Sequence, residues 1–407
     1  MRGAIQAVSL LCALALLGAV AALAQEKAAP PPAGGPPNYL PGSGYNPRKG
    51  SSRAAHGFQG PSWDTGTFPH HLVLQDFNGD GIPDLAVSNA GGRSMTVLLG
   101  DGKGGFSAPV HYDCGQGPSW LEAADLDGDG HPDLVTANTG AASLTIYFGD
   151  GKGNFGRRQE LPDILSPSSM IAVDLNGDKL PDLVVAQPGQ SRIQAVFNRG
   201  SGRMEPGPAY DVSAAPHIID YADVDGDGRP EVIVGSLVTG MLHVFHANAD
   251  GTLRAGKPLQ VGKNPHYRAY GDFNGDGKLD LAVTVAGDGG AEVYLGDGKG
   301  DFTRSAVLPT GISPHGIASG DFNGDGKLDL AAVNRISKDL VVFLGDGKGA
   351  FTAGQRLPIG EDVIAVAARH LNRDAALDLI LISASTNRVL LLKGDGKGRF
   401  AAPGRRV

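Results

Sequence analysis

A 49-residue period governs this chain, and no other feature restricts its fold so severely. Asp76, Asp125, Asp174, Asp223, Asp272 and Asp321 each open a variant of Asp-apolar-(Asn/Asp)-Gly-Asp-Gly-x-x-(Asp/Glu)-apolar, and each lies 49 residues after the last. The seventh step lands on His370, in a worn copy reading HLNRDAALDL. A second landmark keeps the register: GDGKGGF from Gly100, GDGKGNF from Gly149, GDGKGDF from Gly296, GDGKGAF from Gly345 and GDGKGRF from Gly394. Drifted versions begin at Asn198 and Ala247. Seven copies without an insertion or deletion imply one structural unit used seven times.

The unit parses into strands. With 62 glycines and 27 prolines among 407 residues, long helices are excluded. In the first copy the apolar runs predict an inner strand over 71–76, a second over 84–88, a third over 95–99 and an outer strand over 106–114. The acidic loop joins the first two, residues 89–94 join the next pair, and the GDGKG hairpin joins the last. Four strands per 49 residues is the pattern of a propeller blade, so the expected fold is all-β: a seven-bladed β-propeller of four-stranded antiparallel blades. Residues 361–370 have helical propensity, but their register makes them the inner strand of the seventh blade. Residues 58–66 resemble 106–115 with one residue deleted, so they are expected to close the ring as the outer strand of the last blade. The tail from Phe400 then reads as a frayed, redundant copy.

Each acidic loop crowds oxygen donors into nine residues. Alternate side chains of a tight loop converge on one point, and the seventh residue's carbonyl is free to join them, as in calcium-binding turns. The candidate ligands are Asp76, Asn78, Asp80, Asp84 and the Ile82 carbonyl in the first copy, and Asp125, Asp127, Asp129, Asp133 and the His131 carbonyl in the second. The third offers Asp174, Asn176, Asp178, Asp182 and Leu180, and the fourth Asp223, Asp225, Asp227, Glu231 and Arg229. The fifth offers Asp272, Asn274, Asp276, Asp280 and Lys278, and the sixth Asp321, Asn323, Asp325, Asp329 and Lys327. An all-oxygen set favours Ca2+ over zinc or copper, with magnesium second. About six ions are expected, in a structural role. The third and fourth loops depart from the pattern, with Lys179 for the turn glycine and Glu231 for the closing Asp, and the seventh is read as empty.

The DxNGDGxxD and GDGKGxF signatures across residues 58–407 resemble the FG-GAP or VCBS repeat family, which includes the propeller of integrin alpha subunits. That resemblance implies a calcium-bearing seven-bladed propeller acting in adhesion, glycan binding or protein interaction outside the cell.

Export is also read from the first 24 residues. Arg2, an apolar run and Ala22-Leu23-Ala24 form a secretory signal, so the mature chain is expected to begin at Gln25 with no remaining membrane span. Residues 25–57, rich in Pro and Gly, read as a disordered linker. A net charge of −8 gives no footprint for nucleic acid. Cys114, alone after signal removal, reads as a buried inert thiol. A monomer with a periplasmic, cell-surface or secreted location is expected.

The face opposite the acidic loops is the candidate recognition surface. There a Pro recurs at 69, 118, 167, 216, 265 and 314, followed by His70, Ser119, Ser168, His217, His266 and His315. The histidines read either as a transition-metal or anion site at the channel mouth or as inherited turn residues that cap neighbouring loops. Trp120 and Tyr267 read either as aromatics packed between blades, the commoner use of such residues, or as candidates for stacking on a sugar, with Asn89, Asn138, Asn334, Arg93, Arg335 and Lys338 as hydrogen-bonding groups. No HExxH, nucleophile elbow or Walker A motif occurs. The favoured function is therefore a binding or adhesion module for an extracellular protein or glycan. The alternative is a polysaccharide- or small-molecule-acting enzyme with its site at the channel mouth.

Overall fold

A computed structural model describes residues 58–401. The expected signal segment, the linker and the last six residues lie outside the described residues. The described chain forms seven antiparallel sheets, one per repeat, in the strand order inner, second, third, outer. In the first blade these are Pro69–Gln75, Asp84–Asn89, Ser94–Leu98 and Val110–Asp113. The outer strand starts four residues later than its apolar pattern suggests, because Phe106 makes only an isolated bridge to Gly100 before the chain straightens. Val363–Arg369 is a strand, so the repeat register overrides helical propensity in the seventh blade.

Burial explains why the second strands read as largely apolar runs. Asp84–Asn89, Asp133–Asn138, Asp182–Gln187 and their counterparts are buried at every residue, because each is covered by a neighbouring blade on both faces. Outer strands such as Arg157–Leu161 are mostly exposed and carry charge. The apolar clusters lie between blades: Val135, Leu144 and Ile146 of the second blade pack on Leu183, Val185 and Val196 of the third.

Two recurrent contacts stitch neighbouring blades at the acidic-loop face. Phe77 meets Phe155 edge-on at 5.5 Å, and Phe273–Phe351 and Phe322–Phe400 repeat the arrangement at 5.5 and 5.2 Å. The last hairpin glycine of a blade also donates its amide to the preceding acidic loop, as in Gly153 to the Phe77 carbonyl at 3.0 Å and Gly349 to Phe273 at 2.9 Å. Gly153 and Gly349 sit at φ 81° and 86°, where a side chain would be strained. Gly104 to the Leu371 carbonyl, at 3.0 Å, carries this contact across the junction of the seventh and first blades.

Closure of the ring is a composite. Ser62–Asp64 pairs with Arg388–Leu390 as the outer strand of the seventh blade. The chain bends at Gly60, and Phe58 inserts between the sixth and seventh blades, donating its amide to Glu361 at 3.1 Å. The hairpin phenylalanine position therefore stays with Phe400, which is 1% exposed and pairs with Gly394. The expectation of a redundant copy from Phe400 is corrected: residue 400 keeps its packing role, and only the outer edge is supplied from the N-terminal side.

Candidate metal loops and channel mouth

The six acidic loops share one hydrogen-bond plan. The first carboxylate accepts from the amides of the fourth and sixth residues, as Asp76 does from Gly79 at 2.8 Å and Gly81 at 2.7 Å. The fifth accepts from the seventh amide, as Asp80 does from Ile82 at 2.8 Å. Lys179 reproduces the sixth-residue turn at φ 69° and donates to Asp174 at 2.8 Å, so the missing glycine costs strain but does not change the loop. Two loops bring three carboxylates within 4.8 Å of one another: Asp125, Asp127 and Asp133 in one, Asp223, Asp225 and Asp227 in the other. In the second loop Arg157 pairs with Asp127. In the seventh copy His370 Nδ1 engages the carbonyl of the seventh residue, Ala376, at 3.1 Å.

The ninth residue has a role that sequence reading missed. Asp84 is fully buried and accepts from the Phe77 amide at 2.9 Å and from the Gly100 amide at 2.7 Å, tying the acidic loop to the hairpin of its own blade. Asp133, Asp182, Asp280, Asp329 and Asp378 also tie to the hairpin, accepting from Gly149, Asn198, Gly296, Gly345 and Gly394. The only sequence signal was a carboxylate on the first residue of a largely apolar strand. Burial raises these groups, Asp133 and Asp182 to about 6, against the opposing pull of their amide donors. A divalent cation in the loop is the group that would hold such a carboxylate ionised.

On the opposite face the four histidines converge. His266 lies 4.1 Å from His315 and 6.3 Å from His217, ring centre to ring centre. His70 Nδ1 is hydrogen-bonded to the Ser119 carbonyl and His315 Nδ1 to the Ile364 carbonyl, both at 2.7 Å, which leaves each Nε2 as a bare lone pair. Nδ1 of His217 and of His266 is buried without a protein partner. Burial, with repulsion from His266, drives His217 to about 3, and burial lowers His266 to about 4. At neutral pH the ring is a set of uncharged imidazoles.

Trp120 and Tyr267 lie below this layer. Trp120 is 3% exposed and stacks on His71 at 3.6 Å, with Tyr267 stacked 6.0 Å away. Residues of the first, second and fifth blades thus meet across the channel as an aromatic plug, in which Trp120 is buried and Tyr267 half-buried. Their position on the inner strand, two residues past the proline, directs them inward. Asn89, Asn138 and Asn334 are buried and bonded within their blades, Asn138 to Ser143 and Thr145. Arg335 is held by Asp362, while Arg93 and Lys338 are exposed. Cys114 is buried, which pushes its thiol up to about 11.

Beneath the plug, Glu122 accepts from Trp120 Nε1 at 3.0 Å, and burial pushes its carboxyl up to about 8, with Asp220 adding to the shift. The folded state therefore keeps a proton up to about pH 8 that the unfolded chain releases near 4.5. Stability from this group is complete below pH 4.5 and lost as pH rises through that window. Glu122→Gln should gain on the parent by about 1 kcal/mol or more between pH 5 and pH 8, after discounting for solvent that reaches the group. Urea titrations of both proteins at these two pH values test this; a constant difference contradicts it.

Comparisons with known proteins agree with the architecture. The family described as FG-GAP-like repeat matches overlapping windows at residues 76–136, 125–185, 174–234, 223–283, 272–332 and 321–380. No curated protein matches the sequence. Among solved structures, BBS1N in complex with ARL6DN superposes with a TM-score of 0.60 at 13% identity, covering 85% of this chain and 99% of that one. A protein from Lactobacillus plantarum gives 0.57 at 14% identity, covering 82% and 95%. A catalytically inactive virginiamycin B lyase from Staphylococcus aureus with quinupristin gives 0.54 at 12% identity, covering 82% and 98%. These likenesses show the fold. Among the described residues no helix is long and apolar enough to cross a membrane.

Proposed function

The chain belongs to the FG-GAP-like repeat family, and from that footing we propose that it is an exported, calcium-stabilised binding module whose recognition face is the one opposite the acidic loops. The observation that carries this reading is apolar exposure on that face. Leu165, Val238, Ile312 and Ile336 stand on its loops at 46%, 61%, 60% and 65% exposure. Ile312 and Ile336 are neighbours, joined by a 3.2 Å backbone hydrogen bond. Large side chains held out on short, rigid loops suit a partner that buries them. An extracellular protein fits this better than a glycan, because the aromatic rings that would stack on a sugar are inside the channel. The shape neighbour in complex with ARL6DN supports protein recognition by a propeller of this form.

Placing a photo-crosslinking amino acid at position 336 in cells that export the protein tests the reading. A discrete adduct outside the cytoplasm is expected from position 336 and not from position 110 on an outer strand. Equal labelling from both positions, or none from 336 together with binding on a glycan array, overturns it.

The converging histidines favour a second reading, a small-molecule or polysaccharide enzyme at the channel mouth. His266→Ala would then abolish turnover, whereas the binding module keeps its adduct at position 336.

A further inference from the structure

The fourth blade departs from the other six at two positions that meet in space, Glu231 and His246. Its closing carboxylate is Glu231, where the others carry Asp84, Asp133, Asp182, Asp280, Asp329 and Asp378. His246 stands where the register elsewhere places Leu99, Phe148, Phe197, Leu295, Leu344 and Lys393. Gly256 leaves space for that ring, as Gly207 does for Phe197 in the third blade: a Cβ at Gly256 would lie 2.7 Å from His246 Nε2. The glycine seats the imidazole, between the two short pieces Leu253–Ala255 and Leu259–Gln260 that make up this blade's outer strand.

The extra methylene of Glu231 changes what its carboxylate does. Oε2 keeps the bond to the loop, accepting from the Val224 amide at 2.9 Å. Oε1 turns away from the hairpin amide that the Asp residues hold and meets His246 Nδ1 at 3.1 Å. Asp225 Oδ2 lies 3.5 Å from the same nitrogen, and one ligand atom from each of the three residues falls within 4.8 Å of the others. Ligands about 2.0–2.1 Å from a tetrahedral ion are separated by about 3.3–3.4 Å. The two separations to His246 Nδ1, 3.1 and 3.5 Å, bracket that value. Calcium, with six to eight oxygens at about 2.3–2.6 Å, has no use for the imidazole. Charge points the same way, since Glu231 is 2% exposed and the hairpin lysine of the first blade, Lys103, is replaced here by Asp250.

We propose that Asp225, Glu231 and His246 form a separate site for a divalent ion that accepts nitrogen, of the zinc type, in place of calcium in the fourth loop. Water completes the tetrahedron from the exposed side. The site goes beyond the calcium reading and does not rest on it.

Zinc titration by calorimetry into untagged full-length protein, in a large excess of calcium, tests the proposal. One zinc per chain is expected, with binding weakened more than about 100-fold in His246→Leu. The double variant Glu231→Asp/His246→Leu restores the residues of other repeats, so it should fold and also lose zinc. His266→Ala should keep it, which separates this site from the channel mouth. No zinc bound under calcium, or zinc affinity unchanged in both His246 variants, overturns the proposal. The Co2+-loaded protein gives a second readout: an intense tetrahedral visible spectrum is expected, and a weak octahedral one contradicts the geometry.

Discussion

Removing calcium with EGTA is expected to lower the melting temperature by about 10 °C or more. A site whose free ion stands at about 100 times its dissociation constant stabilises the folded state by about 2.7 kcal/mol. Several such sites act together, and a domain of a few hundred residues moves by about 2–4 °C per kcal/mol. Among the described residues there is no disulfide, Cys114 being free, so no cross-link there would mask the loss of the proposed ions. Loop by loop the response should differ. Asp125→Asn, in a loop whose carboxylates already converge, should remove part of the EGTA-sensitive stability. Asp374→Asn in the seventh copy should leave it unchanged, because His370 there occupies the carbonyl a calcium would use. Equal effects of the two substitutions would contradict the assignment.

Phe400→Ala is expected to cost about 3–5 kcal/mol, as for any large aromatic deleted from a closed core. Its ring lies among Leu340, Val342, Leu379 and Leu392 and edge-on to Phe322, so the cavity opens at the joint between the sixth and seventh blades. Its backbone is fixed as well: the amide donates to Gln355 at 2.7 Å and the carbonyl accepts from Gln355 at 2.9 Å. Deleting residues 58–64 should act on the same joint from the other side. It exposes the edge of Arg388–Leu390, removes Phe58 from the core and takes away the amide bonded to Glu361. Urea midpoints measure both effects. A loss below about 1 kcal/mol for Phe400→Ala would restore the redundant-tail reading.

Fold and site were legible to different depths, for physical reasons. A strict 49-residue register fixes which residues share a strand, a blade and a face, because every insertion would break the packing of equivalent blades. Register does not say how far a side chain reaches across the axis. His217, His266 and His315 therefore read either as one site or as unrelated turn residues, and only the structure shows His266 at 4.1 Å from His315 and 6.3 Å from His217. Trp120 and Tyr267 read as either packed or sugar-stacking residues, and the structure places them in an aromatic plug across the channel rather than between blades alone. Asp84 and its counterparts read purely as ligands because the hairpin amide they hold is 16 residues away. His246 stands in a column otherwise of Leu and Phe apart from Lys393, and its grouping with Asp225 and Glu231 is identified only in three dimensions. The composite closure escaped because residues 58–66 match the outer-strand pattern throughout, while the bend at Gly60 depends on the space Phe400 already fills.

Native mass spectrometry of the metal-reconstituted protein tests the central claim most directly, because it counts ions without assuming what they do. The account predicts five calcium ions and one zinc per chain, with the calcium ions lost together on chelation as the protein becomes easier to unfold. A spectrum of the bare chain after calcium loading, with unchanged unfolding, contradicts it.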